Sequence, residues 1–471
     1  MPETDLPLLS LAEVARLLKR RTVSPVEVTR AILDQIAAFD HRLNAFLTVR
    51  GNEALAAARR AERAIRAGRY RGPLHGVPVS VKDLVQTAGI RTTCGSRILA
   101  EWVPDTDATL IRRFREAGAI LIGKTHLHEF AYGPTNLNPH YGPSRNPWDP
   151  DRMTGGSSGG SGGAVATGCS YASIGTDSGG SLRIPAAFCG VVGLKPTYGR
   201  ISRAGIFPLS WSQDHAGPLT RTVADAAITL QALAGFDPAD PGSSRQPVPN
   251  FSRGLTAGVK GLRLGVPKEF FWDEVDPEVA GAVRKAVAVL AGLGGSVREV
   301  HWPMAAEARA LSFLIMGAEA FSVHERWLKE RPEDYGPDVR QRLAQGATIL
   351  AADYLRAQRL RRRFIESLDA VFETCDVLLT PTVPVAAPRL EESNLRWPKE
   401  TESMTAALTR FTRPFNLTGT PALSVPCGFT AGGLPVGLQI AGRAFDEATV
   451  LRVGHAYEHA ARFPVRRPQE S

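Results

Sequence analysis

Apolar residues at Val28, Ile32 and Ile36 return every four positions, which is one face of a helix. Just ahead of them, Ser24-Pro25-Val26-Glu27 is a capping box with proline at the first helical position, so the helix starts there. Residues 54–67 predict a second, alanine-rich helix. The period then changes. Val77, Val79 and Val81 alternate with smaller or polar residues, as in a strand over residues 77–84 that enters a core. Residues 109–117 read as a helix and 119–122 as a strand. Strand–helix alternation continues beyond residue 181, which predicts one layered α/β sheet rather than separate domains.

Further on, residues 236–251 are rich in Pro, Gly and Ser and give the best candidate for a break. A strand at 262–266, a helix at 277–293 and a strand at 297–300 form a βαβ-like unit. Residues 391–405 are charged and weakly patterned, and read as a loop near an active-site mouth. Segments 422–426 and 436–440 flank Gly432-Gly433 and predict a hairpin, and a helix over 446–461 closes the fold. The resulting outline is a single domain over 1–471. It has a helical part to about residue 70, a core over about 71–235 and a C-terminal part over about 255–465.

Composition changes this picture little. The chain is 43% hydrophobic and 22% charged, which is ordinary for a globular protein able to bury a large core. No apolar run reaches the roughly 18 residues a membrane helix needs. The first residues include Glu3 and Asp5 and lack a basic-then-apolar pattern, so a cytoplasmic location is expected. Cys94, Cys169, Cys189, Cys375 and Cys427 are scattered and odd in number, which argues against a disulfide framework or a zinc site. The net charge of +9 is spread along the chain. Its one dense cluster, Arg356, Arg359, Arg361, Arg362 and Arg363, reads as the solvated face of a helix, so no nucleic-acid partner is expected.

The chemistry lies in three short segments. Lys82 ends the apolar run Gly76-Val77-Pro78-Val79-Ser80-Val81-Lys82-Asp83. Ser157 lies in Gly155-Gly156-Ser157-Ser158-Gly159-Gly160-Ser161-Gly162-Gly163, and Ser181 lies in Gly175-Thr176-Asp177-Ser178-Gly179-Gly180-Ser181-Leu182-Arg183. A serine hydroxyl is a weak nucleophile until a base takes its proton. Burial disfavours an ammonium and lowers its pKa, so a lysine on an apolar strand can be that base. Glycines let the backbone around Ser181 turn tightly and aim successive N–H groups at a developing oxyanion. Ser157 would lie between Lys82 and Ser181 and relay the proton. Two serines and a lysine can thus replace a Ser–His–carboxylate triad.

These segments, with the two serines 24 residues apart, resemble the amidase signature family. The similarity runs on through Phe188–Thr197 to Pro435-Val436-Gly437-Leu438-Gln439 and covers most of the chain. The resemblance implies a single α/β/α fold with a central twisted mixed sheet flanked by helices. It implies Lys82 as base, Ser157 as a bridging serine in a cis peptide, and Ser181 as nucleophile. It implies an oxyanion hole from the amides of Ser178, Gly179, Gly180 and Ser181, supported by Asp177 and Arg183. No metal or organic cofactor is called for. The expected partner is a small-molecule amide, with no membrane and self-association left open.

Other patterns are refused. Residues 118–125 satisfy a phosphate-loop pattern by letters, but Ala119-Ile120-Leu121-Ile122 is itself a strand and not a flexible cradle. Gly155–Gly159 matches a nucleophile elbow without the apolar strand that fold requires before it. His126 and His128 flank Leu127 as ordinary pocket or surface groups rather than metal ligands, and Lys195 before Pro196 reads as a structural contact.

Two members of the resembled family compete. One is a free-standing amidase. The other is the catalytic component of the tRNA-dependent glutamyl/aspartyl amidotransferase, which works with partner subunits. Ile184 stands where that component usually has glutamine. Thr409, ahead of Arg410-Phe411-Thr412-Arg413-Pro414, stands where it has the aspartate that grips the glutamine ammonium. An ammonium without its carboxylate is poorly compensated. The free-standing amidase is therefore favoured, acting on simple uncharged amides with glutamine a poor substrate.

Overall fold

The computed structural model describes residues 3–397, 401–461 and 468. Eleven strands form one sheet. In chain order they are β1 (Phe46–Val49), β2 (Pro78–Lys82), β3 (Ile120–Thr125), β4 (Ala172–Asp177), β5 (Val192–Lys195), β6 (His215–Thr220), β7 (Arg263–Pro267), β8 (Ser296–Val300), β9 (Val377–Pro381), β10 (Ala422–Phe429) and β11 (Pro435–Gly442). Their spatial order is β1-β3-β2-β4-β6-β5-β10-β11-β9-β7-β8. The β3–β2–β4 and β9–β7–β8 neighbours run parallel, and the middle of the sheet is antiparallel. The sheet is therefore mixed, and the fold is the α/β class expected.

Helices cover both faces. Successive strand residues point to opposite faces. A Cβ added at Gly437 would meet Ala187, in helix Arg183–Cys189. Gly428 pairs with Val436 and so lies on the face opposite Gly437; its Cβ would meet Ala282, in helix Pro277–Gly292. Every residue of β2, β4, β6, β9 and β11 is buried, as strands covered on both faces must be.

Most expected elements form where the pattern places them. Helix Pro25–Leu43 starts at its capping box, with Ser24 Oγ accepting from Glu27 N at 3.1 Å and Ser24 N donating to Glu27 Oε2 at 2.6 Å. Helix Thr109–Ala117 has the expected bounds, and the alanine-rich helix runs Gly51–Arg66. Parallel β7 and β8 around helix Pro277–Gly292 are the βαβ unit. β3 takes up the refused phosphate-loop segment, and Lys124 is buried in it, donating to Val85 O at 2.5 Å and Thr92 Oγ1 at 2.8 Å.

Three expectations change. Residues 391–405 are not one loop: Asn394–Arg396 and Thr401–Ser403 pair as a short hairpin, and helix Met404–Thr409 follows. Cross-strand pairing and a Ser403 cap on Ala406 N replace the apolar alternation that would have announced them. Segment 236–251 is irregular but not a free linker. Asp237 binds Thr109 and Ser202 at 2.5 Å each, and Asp240 pairs with Arg203 at 2.8 Å. In the arginine cluster, Arg361 turns inward to Leu417 O at 2.6 Å and Ser212 O at 2.8 Å, while the other four are exposed. No described helix is long and apolar enough to cross a membrane.

Candidate active site

β2 carries Lys82 into the sheet beside β4, where Val81 pairs with Ile174. The lysine is fully buried. Its Nζ donates to Ser157 Oγ at 2.6 Å and to Thr176 Oγ1 at 2.9 Å. Burial lowers its pKa to about 7; Asp177 and Asp214 pull the other way without overcoming it. The strand end just past Lys82 is fixed by Asp83, which accepts from Thr93 N at 2.8 Å and Thr93 Oγ1 at 2.6 Å and faces Lys124 at 3.5 Å.

The glycine–serine tract is packed structure and no linker. The Gly156–Ser157 peptide is cis. Helix Gly159–Ala166 follows at once and is buried along almost its whole length. A Cβ at Gly160 would fall 2.4 Å from Ala45 O, so only glycine lets the chains approach there. The remaining serines are tied down. Ser158 Oγ donates to Thr176 O at 3.2 Å, and Ser161 Oγ lies 2.7 Å from Thr125 Oγ1. Ser157 is the one whose hydroxyl meets the lysine.

Ser181 sits in the turn between β4 and helix Arg183–Cys189, is 9% exposed, and lines a cavity of about 770 Å³. Among the described residues nothing hydrogen-bonds its hydroxyl. Beneath the turn, Arg183 and Asp177 form a fully buried pair at 2.9 Å. Arg183 uses its remaining donors on Gln439 Oε1 (2.7 Å), Asn416 Oδ1 (2.7 Å) and Thr412 O (2.9 Å). Burial alone would raise the Asp177 pKa, but Arg183, with Lys195 and Asn416, outweighs it and holds the carboxyl well below the usual range. Asp177 and Arg183 thus form a buried ion pair directly beneath the turn.

Asp177 also accepts from Gly180 N at 2.7 Å and Leu182 N at 3.2 Å. The four amides expected to form an oxyanion hole therefore differ in their hydrogen bonding. The Gly180 N–H is held by the carboxylate below, whereas the Ser178, Gly179 and Ser181 amides meet no acceptor among the described residues. Gly180 has φ +134°, and its Cβ would fall 2.3 Å from Thr412 Oγ1, which itself donates to Gly179 O at 2.6 Å. Glycine is thus required at the point where Thr412 buttresses the loop.

Breaking the Asp177–Arg183 pair leaves a buried charge alone, which costs about 3–5 kcal/mol. Arg183→Met is therefore expected to lower the denaturant midpoint sharply and to disorder the Ser181 turn. An unchanged unfolding curve would mean that the pair does not hold the loop.

Several contributors carried no recognisable signal in the sequence. Thr176 is an inward threonine on a strand. Asp214 accepts from Ser178 Oγ at 2.5 Å, and burial pushes its pKa up to about 6. Asn416 and Gln439 lie far along the chain and meet Arg183 only through the fold. His126 and His128 belong to no metal cluster among the described residues; His128 bonds Asp338 at 2.9 Å. Lys195 makes the structural contact expected, to Thr420 O at 2.5 Å.

A buried lysine bonded to one serine, and a glycine turn presenting a second serine and free amides to a cavity, are groups that hydrolysis by acyl transfer can use. The chain belongs to the Amidase family, whose model matches residues 27–451. It is 48% identical to an amidase from Pseudomonas putida over 99% of both chains. It is 43% identical to a glutamyl-tRNA(Gln) amidotransferase component from Moorella thermoacetica, again over 99% of each. A solved chain from a vestigial protein complex bearing on the origins of an s-triazine catabolic enzyme superposes with a TM-score of 0.92 at 36% identity, covering 96% of this chain and 98% of that one.

Proposed function

We propose that this protein hydrolyses a small carboxamide to a carboxylate and ammonia or an amine, through an acyl-enzyme on Ser181. The observation carrying this reading is the 2.6 Å bond between a fully buried Lys82 and Ser157, with Lys82 Nζ also on Thr176 Oγ1 at 2.9 Å in β4, the strand that leads into the Ser181 turn. Neutral Lys82 takes a proton through Ser157 as Ser181 Oγ attacks the amide carbon. The free amides of Ser178, Gly179 and Ser181 stabilise the oxyanion. The proton returns through Ser157 to the leaving nitrogen, and water repeats the sequence on the acyl-enzyme. Asp177 and Arg183 position the turn. No step requires a metal or an organic cofactor, and the chain acts as one domain.

Similarity to amidotransferase components keeps a second reading in view, a glutamine-hydrolysing subunit in a complex. The cavity argues against it. Thr409 lines the wall and spends its hydroxyl on Thr405 O at 2.6 Å, so it offers no carboxylate to an ammonium. Ammonia release by the purified chain alone, over a panel of aliphatic, aromatic and amino-acid amides, is the test. Turnover of amides other than glutamine, without ATP, tRNA or other subunits, is expected. Turnover of glutamine alone, or only within a complex, would favour the second reading.

A further inference from the structure

The cavity that Ser181 lines also carries three arginines, Arg309, Arg342 and Arg413. Two of them are matched. Arg342 pairs with Asp338 at 3.1 Å and donates to Thr405 Oγ1 at 3.1 Å, and Arg309 lies 3.5 Å from Glu402. Glu402 is further engaged by Arg410 at 3.4 Å and Trp397 Nε1 at 3.3 Å. Asp338 also receives His128 at 2.9 Å. Arg413 is different. It is only partly exposed, and its Nε is sealed from solvent with no acceptor. Among the described residues no carboxylate lies within ion-pair distance of its guanidinium.

Its position is equally specific. A Cβ on Gly179, between two of the free amides, would meet Arg413 Cγ at 3.7 Å, Arg413 Nε at 3.8 Å and Met316 Cε at 3.8 Å. Arg413 therefore packs against the turn that carries the free amides and Ser181. Burial above all lowers its pKa to about 10, opposed by Tyr132 and Glu402 and helped by Arg309 and Arg342, so it stays a cation at neutral pH. A desolvated cation aimed into a binding cavity is poorly compensated until an anion joins it, and a planar guanidinium matches a carboxylate bidentately.

We infer that the substrate's acyl part carries a carboxylate on a short spacer, as in a monoamide of a short dicarboxylic acid, and that Arg413 binds it. This rests on the amidase reading and narrows it. It also departs from the uncharged amides expected from sequence, because Arg413 faces the cavity while Arg410 turns away to Asp273 O and Glu274 O.

Steady-state kinetics on malonamate and succinamate against propionamide and butyramide test it, in wild type, Arg413→Lys and Arg413→Met. Wild type should prefer the acids. The acid-to-neutral ratio of kcat/KM should fall about 100-fold in Arg413→Met, mostly through KM, with part of it kept in Arg413→Lys. Succinate should raise the thermal midpoint of Ser181→Ala protein, but not once Arg413→Met is added. A wild-type preference for neutral amides, or an unchanged ratio in Arg413→Met, would overturn the assignment while leaving the amidase intact. If none of these four amides is turned over, the wider amide panel decides the amidase reading, and the succinate-induced shift alone decides the Arg413 site.

Discussion

Ser181→Ala is expected to cut amide turnover by about four orders of magnitude or more while leaving the fold unchanged. The two halves of this expectation have separate grounds. As the proposed nucleophile, Ser181 supplies the oxygen that becomes covalently bonded, and no neighbour can replace it. As a structural group it does little, since its hydroxyl bonds to none of the described residues and faces the cavity. Ser157→Ala should differ in kind. It removes the relay and one partner of Lys82, but Thr176 still holds Nζ at 2.9 Å and a water can take the vacated place. Its loss should be smaller than that of Ser181→Ala. Kinetics on a verified substrate, with thermal unfolding of each variant as control, decide the point. A Ser181→Ala protein within tenfold of wild type would end the assignment.

The candidate site was legible in the sequence where its local composition is unusual. A lysine closing a valine-alternating strand, and serines embedded in glycine, are rare enough to stand out. Fold class and most elements followed from periodicity, because fully buried strands and amphipathic helices leave strong patterns. What the sequence hid depends on distant approach. Asn416 and Gln439 are ordinary residues until β11 and helix Arg413–Leu417 bring them to Arg183, more than two hundred positions away. The Gly180 amide looks free in the sequence, and only the three-dimensional turn shows that Asp177 holds it. The hairpin strands Asn394–Arg396 and Thr401–Ser403 have only three residues each, and the inward position of the second is Glu402, so no apolar alternation could show.

Arg413 marks the border between the two cases. Its charge was plain in the sequence, but the direction of its side chain was not. Helix Arg413–Leu417 starts at the cavity wall, so its first residue packs against Gly179 of the Ser181 turn, whereas Arg410, three residues earlier, reaches Asp273 O and Glu274 O. A charge becomes a specificity determinant only when the fold both faces it inward and leaves it without a partner.

Activity should fall on the acidic side with a limb near pH 7, and Lys82→Arg should be nearly inactive. A proton acceptor must be neutral. Lys82 is a cation below its pKa, which burial sets at about 7, so kcat/KM should drop about tenfold per pH unit below that point. Arginine keeps the charge but does not deprotonate in proteins, so Lys82→Arg cannot accept the proton. Asp214, pushed by burial to about 6, also titrates on this side, and Asp214→Asn separates the two: the limb near 7 should persist. Stability gives an independent reading. An unfolded lysine titrates near about 10.4. Between about 7 and that value the unfolded chain holds a proton the folded chain has released. Unfolding then takes up a proton, and the Lys82 contribution makes stability rise with pH across that window. The difference between wild type and Lys82→Met in urea midpoints at pH 7 and pH 9 isolates this contribution from the other buried lysines. A Lys82→Arg enzyme with near-normal turnover, or an acidic limb that vanishes in Asp214→Asn, would show that Lys82 positions Ser157 without acting as its base.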